Sequence, residues 1–582
     1  MENGTATGRP RRVGRLLLRG IALLSLLSWT VAFFSAPAAL DSGTPPFGPK
    51  FRASGVVHVH TNLSDGRGSP ADVIEAAARS GADFIVITDH NRVDPQAFAR
   101  LSRPHGPVVI LGSEVSTESG HVLAIGIQPP TFKFSGTLRE VLDDIRHLGG
   151  CAFAAHPTSP RGETRFTREN EPGGWGVEIV NGDSGWREAS PFRLALAAWT
   201  YPANAGFALR STLGDFATER ALLDRILARR FAPIIGGTDA HGRIPIAKDM
   251  SLPLPSYDAL FGLVRTVVQL EDPLPGGPAA AGAVISRALC AGQSLVAVPS
   301  FGDPKGFSFV ARSGNGEESG PGSTIAFAPE TTIEVGGALP KATRLRLIEG
   351  GREIAHGMGS LKMRLSSPGV FRAEAYVGDA STPWILSNPI SVLSPQQMRA
   401  RSEASQLLAE PYVLGSGRID DFEGETHFAA EHDPGSRVAE PVLDSGGGRG
   451  GRKAARLAFE LSATPNPPVW CALVDRTARD LSAYRGISFW LRADGEYRIW
   501  FQLRDLNPAS ADEGTEAWFA SVRTSTAWTL YNVPFSSLRS INRKSDGSFD
   551  PRKIAHIVFV IDHGSMAFGS RGTIWIDDLA AY

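Results

Sequence analysis

The first 241 residues carry short polar strings built from imidazole and carboxylate. They read His58-Val59-His60-Thr61, Ser64-Asp65-Gly66, Thr88-Asp89-His90-Asn91, Gly112-Ser113-Glu114, Gly120-His121, Ala155-His156-Pro157 and Thr238-Asp239-Ala240-His241. Imidazole nitrogen and carboxylate oxygen are the ligands of hard or borderline divalent metals. On a strand, His58 and His60 point to one face because the side-chain period is two, and Asp239 and His241 repeat that spacing. A lone histidine is more often packed or exposed than a ligand. Six histidines, two aspartates and a glutamate at successive strand ends are a different matter, and together they imply a metal site. His105, His147, His356, His427, His432, His556 and His563 lack such a context. Asp89 reads as a strand-end cap that could also orient a ligand.

The elements that must hold these strings are apolar runs alternating with helical patterns. Strands are expected at Val56 to Val59, Phe84 to Ile87, Val108 to Leu111, Val122 to Ile127, Cys151 to Ala155, Val177 to Val180 and Pro233 to Gly237. Ser69-Pro70-Ala71-Asp72 opens a helix, with Ser69 as N-cap, Pro70 in the first turn, Asp72 at the positive dipole end and Gly81 as the stop. Further helices are expected at Leu138 to Leu148 and Ala221 to Arg230. The alternation predicts a parallel α/β architecture, and seven strands favour a barrel, whose site is built at the carboxyl ends of its strands. His121 departs from this rule because it precedes its strand.

The whole chain has 582 residues, too many for one domain at roughly 150 residues each. Lys and Arg number 59 against 60 Asp and Glu, a net charge of −1 that removes the electrostatic footprint of a general nucleic-acid binder. Cys151, Cys290 and Cys471 are far apart, cannot build a disulfide framework and lack CxxC zinc spacing. Arg9, Arg11, Arg12, Arg15 and Arg19 precede an apolar run from Ile21 to Phe34, and small residues with an A-x-A-like site at Ala36 and Ala38 follow. Residues 1–40 therefore read as a secretory signal or an uncleaved membrane anchor, with the bulk of the chain exported in both cases. A linker (41–51) follows. After the barrel (52–299) the texture becomes short strands and turns, giving a small β-sandwich (300–393), a helical connector (394–411) and a β jelly roll (412–582). In the last, Arg498, Trp500 and Gln502 alternate with Ile499, Phe501 and Leu503 as a two-sheet fold requires. Asp444 to Arg452 reads as a flexible loop.

In order and spacing, the set HxHT, SDG, TDH, E, H, AHP and DAH resembles the PHP (polymerase and histidinol phosphatase) family of metal-dependent phosphoesterases over about residues 52 to 300. The resemblance implies a distorted seven-stranded (β/α) barrel with two or three divalent ions (Zn, Mn or Fe). His58, His60, Glu114 and Asp239 would hold one; Glu114 would bridge to a second held with His121 and His156; Asp65, His90 and His241 would hold the third. Asp65 stands where some members have His. Such ions lower the pKa of a bridging water and neutralise phosphoryl oxygens. Arg92, Arg161 and Arg165 lie near these strings and could grip phosphate, and Asn181 in Val177-Glu178-Ile179-Val180-Asn181-Gly182 could touch substrate.

Gly369 to Val392 resembles the β-domain that follows PHP domains in some exported proteins. Residues 412 to 582 resemble galactose-binding-like carbohydrate-binding modules, on Ile419-Asp420-Asp421-Phe422-Glu423, six of the chain's 11 tryptophans and Ile574-Trp575-Ile576-Asp577-Asp578. That likeness implies a structural calcium at Asp421, Glu423 and Asp577. The expected activity is hydrolysis of a phosphomonoester or phosphodiester in a small molecule or glycan, near polysaccharide, with nucleic acid disfavoured as a partner. The alternatives are a non-catalytic metal-containing surface protein and a nuclease-type member of the family.

Overall fold

The computed structural model describes residues 23–35, 47–405 and 413–582, apart from breaks at 100, 102–105, 135, 248–249, 315, 341, 511–513 and 541–544. The basic stretch 1–22, the A-x-A-like site, most of the linker and the end of the connector lie outside the described residues. Two compact units result: 1–128 with 145–407, and 129–144 with 408–582.

In the first unit, β1 (Phe51–Val59), β2 (Phe84–Ile87) and β3 (Val108–Leu111) pair in parallel. A second sheet holds β4 (Ser113–Thr117), β5 (Gly120–Ile125), β6 (Cys151–Ala154), β7 (Gly176–Asn181) and β8 (Ile234–Gly237) in that order. The two sheets meet at both ends. Gly112 N–H donates to Ile87 O at 2.8 Å and Glu114 N–H to Thr88 O at 3.0 Å, while Thr238 N–H donates to Val57 O at 3.0 Å. Phe84, Phe153, Leu123 and Ile235 are fully buried between them. The helix Pro70–Arg79 starts as its sequence dictates, with a capping box between Ser69 and Asp72. The hairpin β9 (Ile244–Ala247) and β10 (Met250–Leu252) and the strands β11 (Arg265–Leu270) and β12 (Ser294–Ala297) complete this part.

Three expectations change. The sheets are not wholly parallel: β4, β5 and β6 pair antiparallel, as do β1, β11 and β12. This accounts for His121. An antiparallel β5 begins at the rim where its parallel neighbours end, so Ala155 N–H donates to His121 O at 3.1 Å. Second, Cys151 and Cys290 are joined by a disulfide, their Cα atoms 5.6 Å apart. The 139 residues between them measure chain length, not distance, and only Cys471 remains free. Third, the β-layer of residues 300–393 shares its sheet with the preceding part, since Ile385–Ser387 pairs with β12. Its core likewise mixes Val267, Leu295 and Ala297 with Phe307, Phe309 and Trp384. Beside it, the strand Gly369–Val377 is tied to the helix Ala217–Leu227 through Arg372, which bonds both Asp224 and the fully buried Glu374. Burial alone would raise the Glu374 carboxyl, but Arg372 and Arg220 beside it hold it down at about 2.

The second unit is a sandwich of a seven-stranded and a six-stranded sheet. Ile499, Phe501 and Leu503 are fully buried between them, where Phe489, Phe501 and Phe559 pack ring to ring. The Asp444 to Arg452 stretch is more ordered than a flexible loop: Leu443–Ser445 is a strand and Asp444 accepts the Trp575 indole N–H at 2.7 Å. Residues 129–144 lie against this sandwich. Asp144, 2% exposed, bonds the buried Arg498 and also Arg523. Removing one partner of such a pair strands a charge in low dielectric. Asp144→Ala is therefore expected to lower the stability of this unit by about 3–5 kcal/mol, read by denaturant unfolding followed through its tryptophans. A loss below about 1 kcal/mol, the worth of an exposed pair, would show that Arg498 finds water instead.

Candidate metal centre

The strings reach the site through distorted backbone. His58, His156 and Asp239 have φ of 62, 28 and 50°, and Asn91, next to His90, has 53°. Non-glycine residues pay about 1–3 kcal/mol each for such conformations, which cluster at functional sites. A register shift between Val56 and Val59 in the β1–β2 pairing marks the same place. His58 and His60 thus converge through a bulge at the strand end, not through the plain alternation of a strand.

Around Glu114, 1% exposed, five imidazoles gather from four strand ends. Its Oε2 lies 3.2 Å from Nε2 of both His58 and His60 and 3.4 Å from His90 Nδ1. Its Oε1 lies 2.7 Å from His121 Nδ1 and 2.8 Å from His156 Nε2. Asp239 Oδ1 is 3.4 and 3.3 Å from the same His58 and His60 nitrogens. Asp65 is 3.1 Å from His241 Nε2 and 3.7 Å from His90 Nε2. Three groups could each hold a metal ion: His58, His60, Glu114 and Asp239; His60, Asp65, His90 and His241; and His90, Glu114 and His121. All nine residues expected as ligands are therefore brought together. His156 joins through Glu114, and His90 faces both Glu114 and Asp65.

The donor set fits divalent metals. Nε2 of His58, both ring nitrogens of His60, Nδ1 of His156 and Oδ1 of Asp65 are buried without a hydrogen-bond partner, a state that buried polar atoms rarely tolerate. Without a metal the cluster is held by protons. Burial disfavours the charged form of His60, yet Asp239 and Glu114 outweigh it and push its pKa up to about 9. His58 is raised in the same way by Asp239, Glu178 and Glu114, while Glu114 and Asp239 are held well below the carboxylate range by the imidazoles. Metal entry must displace those imidazole protons.

A supporting layer fixes the ligands. Glu178, fully buried on β7, accepts from His58 Nδ1 at 2.8 Å, from His156 N–H at 2.6 Å and from Asn181 Nδ2 at 3.0 Å. It thereby leaves His58 Nε2 free for a metal. A Cβ at Gly237 would sit 1.8 Å from Glu178 Oε1, so only glycine permits this contact. Asp89 accepts from Thr61 N–H and Oγ1 and from Ser64 Oγ, fixing the loop between His60 and Asp65. Tyr257 Oη donates to His60 O at 2.9 Å. Sequence reasoning missed Glu178, although a carboxylate within an apolar strand was the available signal.

The cavity over these ligands measures about 210 Å³, and Arg161, Arg187 and Arg243 line it. Arg161 is where the sequence put it; Arg187 and Arg243 were not anticipated. Arg92 does not line the cavity, because its guanidinium bonds Leu63 O and Asp94, and Arg165 is turned to Ser159 O. Asn181 caps the helix that starts at Gly182 and touches Glu178 and, at 3.4 Å, Asp239, so it supports ligands. A structural calcium was expected at Asp421, Glu423 and Asp577. Among the described residues Asp421, Glu423 and Asp577 form no metal-holding group. Asp421 pairs with Arg418, Glu423 has Arg452 at 3.6 Å, and Asp577 accepts the backbone N–H groups of Arg449 and Asp578. In the second unit, an open groove of about 380 Å³ is lined by Trp470, Gln502, Arg504, His556 and Asp562.

Residues 57–159 match the PHP domain family, and residues 411–564 match the carbohydrate binding domain of family 11. The chain thus carries a PHP domain match in its first part and a carbohydrate binding domain match in its last. An uncharacterised protein of Methanocaldococcus jannaschii is 27% identical over 141 residues, 22% of this chain and 80% of that protein. Among solved structures, the family 11 carbohydrate-binding module from Clostridium thermocellum in complex with a β-1,3-1,4-mixed-linked tetrasaccharide matches 29% of this chain and 95% of that one, at 22% identity and TM-score 0.24. A two-domain protein containing a predicted PHP-like metal-dependent phosphoesterase from Bacteroides vulgatus matches 61% of this chain and 97% of that one, at 16% identity and TM-score 0.29. PHP domains bind divalent metals, as this cluster would require.

Glu178→Gln preserves shape but removes the carboxylate that fixes His58. It is expected to weaken metal affinity by about 10–100-fold, measured by competition with a chelating dye, with the circular dichroism spectrum unchanged. An affinity within about twofold of the parent would deny Glu178 this role.

Proposed function

We propose that the chain is an exported metal-dependent phosphoesterase that hydrolyses a phosphomonoester or phosphodiester close to polysaccharide. The observation that carries this reading is the buried cluster of His58, His60, Glu114 and Asp239 with its unpartnered ring nitrogens. The two sheets joined end to end are read as the distorted seven-stranded (β/α) barrel of the family, with 52–299 as the catalytic part. Two or three ions of Zn, Mn or Fe would be held by His58, His60, Glu114 and Asp239, by Glu114, His121 and His156, and by Asp65, His90 and His241. Bound there, they would supply hydroxide near neutral pH and neutralise phosphoryl charge.

The chain's own side chains divide the remaining work. Glu114 and Asp239, kept ionised by the surrounding imidazoles, hold the ligand constellation together. Arg161 and Arg243, with Arg187 already paired to Asp183, line the cavity and would offer guanidinium donors to the non-bridging phosphate oxygens. Among the described residues lining the cavity there is no cysteine, and this reading assigns the attack to water. The groove bearing Trp470 and Arg504 would bind polysaccharide, offering an aromatic face and polar donors to a sugar. The Cys151–Cys290 disulfide suits an oxidising compartment.

The full chain loaded with Mn²⁺ or Zn²⁺ is expected to hydrolyse p-nitrophenyl phosphate or its bis ester. His58→Ala combined with Asp239→Ala should lower the rate by about 10³-fold or more, since the ions supply several kcal/mol of transition-state stabilisation. Equal rates for parent and double variant would leave a non-catalytic, metal-holding surface protein as the better reading.

A further inference from the structure

Most of the exposed large apolar side chains of the first unit lie on three segments, 23–34, 191–200 and 250–254, with Phe51 and Met358 elsewhere in the sequence. Residues 23–34 form a helix whose Leu23, Leu24, Leu26, Leu27, Phe33 and Phe34 are each more than half exposed. A narrow strip docks it. Ala32 is fully buried, Trp29 Nε1 donates to Trp199 O at 3.2 Å, the Trp29 and Trp199 rings meet edge to face at 6.2 Å, and Asn204 Nδ2 donates to Ala32 O at 3.0 Å. The helix beneath, Pro191–Thr200, exposes Phe192 at 76% and Trp199 at 51%. Just past its end, Tyr201 Oη accepts the Ser256 N–H at 3.2 Å, which brings in the segment carrying the exposed Met250, Leu252 and Leu254.

A bare apolar surface of this kind marks an interaction site, and its chemistry selects the occupant. No described helix is long and apolar enough to cross a membrane. Five arginines, at 9, 11, 12, 15 and 19, precede the apolar run in sequence and match anionic headgroups. Trp29 pairs a satisfied N–H with an exposed ring, the combination that tryptophan presents at a lipid–water boundary. A soluble protein partner gives no reason for that arginine flank.

We infer that helix 23–34, the exposed side of Pro191–Thr200 and the Met250–Leu254 segment form one surface that seats on an anionic phospholipid bilayer. The membrane is then met by the folded unit itself and not by the N-terminal segment alone. The hairpin that carries Met250 and Leu252 begins directly after Arg243, which lines the metal cavity, so the chain runs straight from the cavity to the lipid-facing surface.

Nitroxide labels on the full chain test this, placed singly through Phe192→Cys, Leu252→Cys and, as a control on the exposed Met358, Met358→Cys. In vesicles of phosphatidylcholine and phosphatidylglycerol, the labels at 192 and 252 should lose most of their collisions with a water-soluble nickel chelate and gain collisions with oxygen, while that at 358 stays unchanged. Vesicle-bound protein whose labels at 192 and 252 keep their aqueous collisions would overturn the inference in favour of attachment by the N-terminal segment alone. Labels shielded without lipid, or a chain that does not bind vesicles, would overturn it in favour of a protein partner.

Discussion

A single buried carboxylate organises the first unit. Glu114 lies within 2.7 to 3.4 Å of ring nitrogens on five histidines, from strands that are distant in sequence. A lone carboxylate at 1% exposure would cost several kcal/mol in desolvation. It is stable only because positive charge, from imidazolium protons or from metal ions, surrounds it. The same requirement explains the strained backbone at His58, His156 and Asp239, since each rotates a ligand toward that charge. Glu178 then stands behind His58 and His156 and completes an alternation of negative and positive groups through the core of the site.

The topology serves this cluster. Parallel strands deliver His58, His60, His90, His156 and Asp239 at their carboxyl ends, whereas Glu114 and His121 come from an antiparallel hairpin of β4 and β5. Reversing one strand lets its first residues reach the same rim. The β-layer of residues 300–393 extends the first sheet through β12, and the Arg372–Glu374–Asp224 network fixes it to a helix of the same unit.

The cluster of candidate ligands was legible in the sequence because metal ligation constrains residue type and because these residues sit at strand ends flanked by apolar residues. Strand positions from Val56 to Gly237 were legible for the same reason. The strand at Ser113–Thr117 was not, since its polar composition hid it. The Cys151–Cys290 link was invisible, because proximity in space leaves no mark on spacing in sequence. Glu178 was passed over for Asn181 because a buried acid reads as a support for ligands only once its partners are known. The acidic residues near both ends of the second unit were legible, but not that Arg418, Arg449 and Arg452 lie beside them.

The most direct measurement is X-ray absorption at the metal edge, combined with elemental analysis, on the full chain as purified or reconstituted. The arrangement of Glu114 and its histidines predicts two or three first-row divalent ions per chain with only nitrogen and oxygen neighbours, reduced by at least one in Glu114→Ala. Fewer than two ions in the parent chain, or sulfur in their coordination shell, would contradict it.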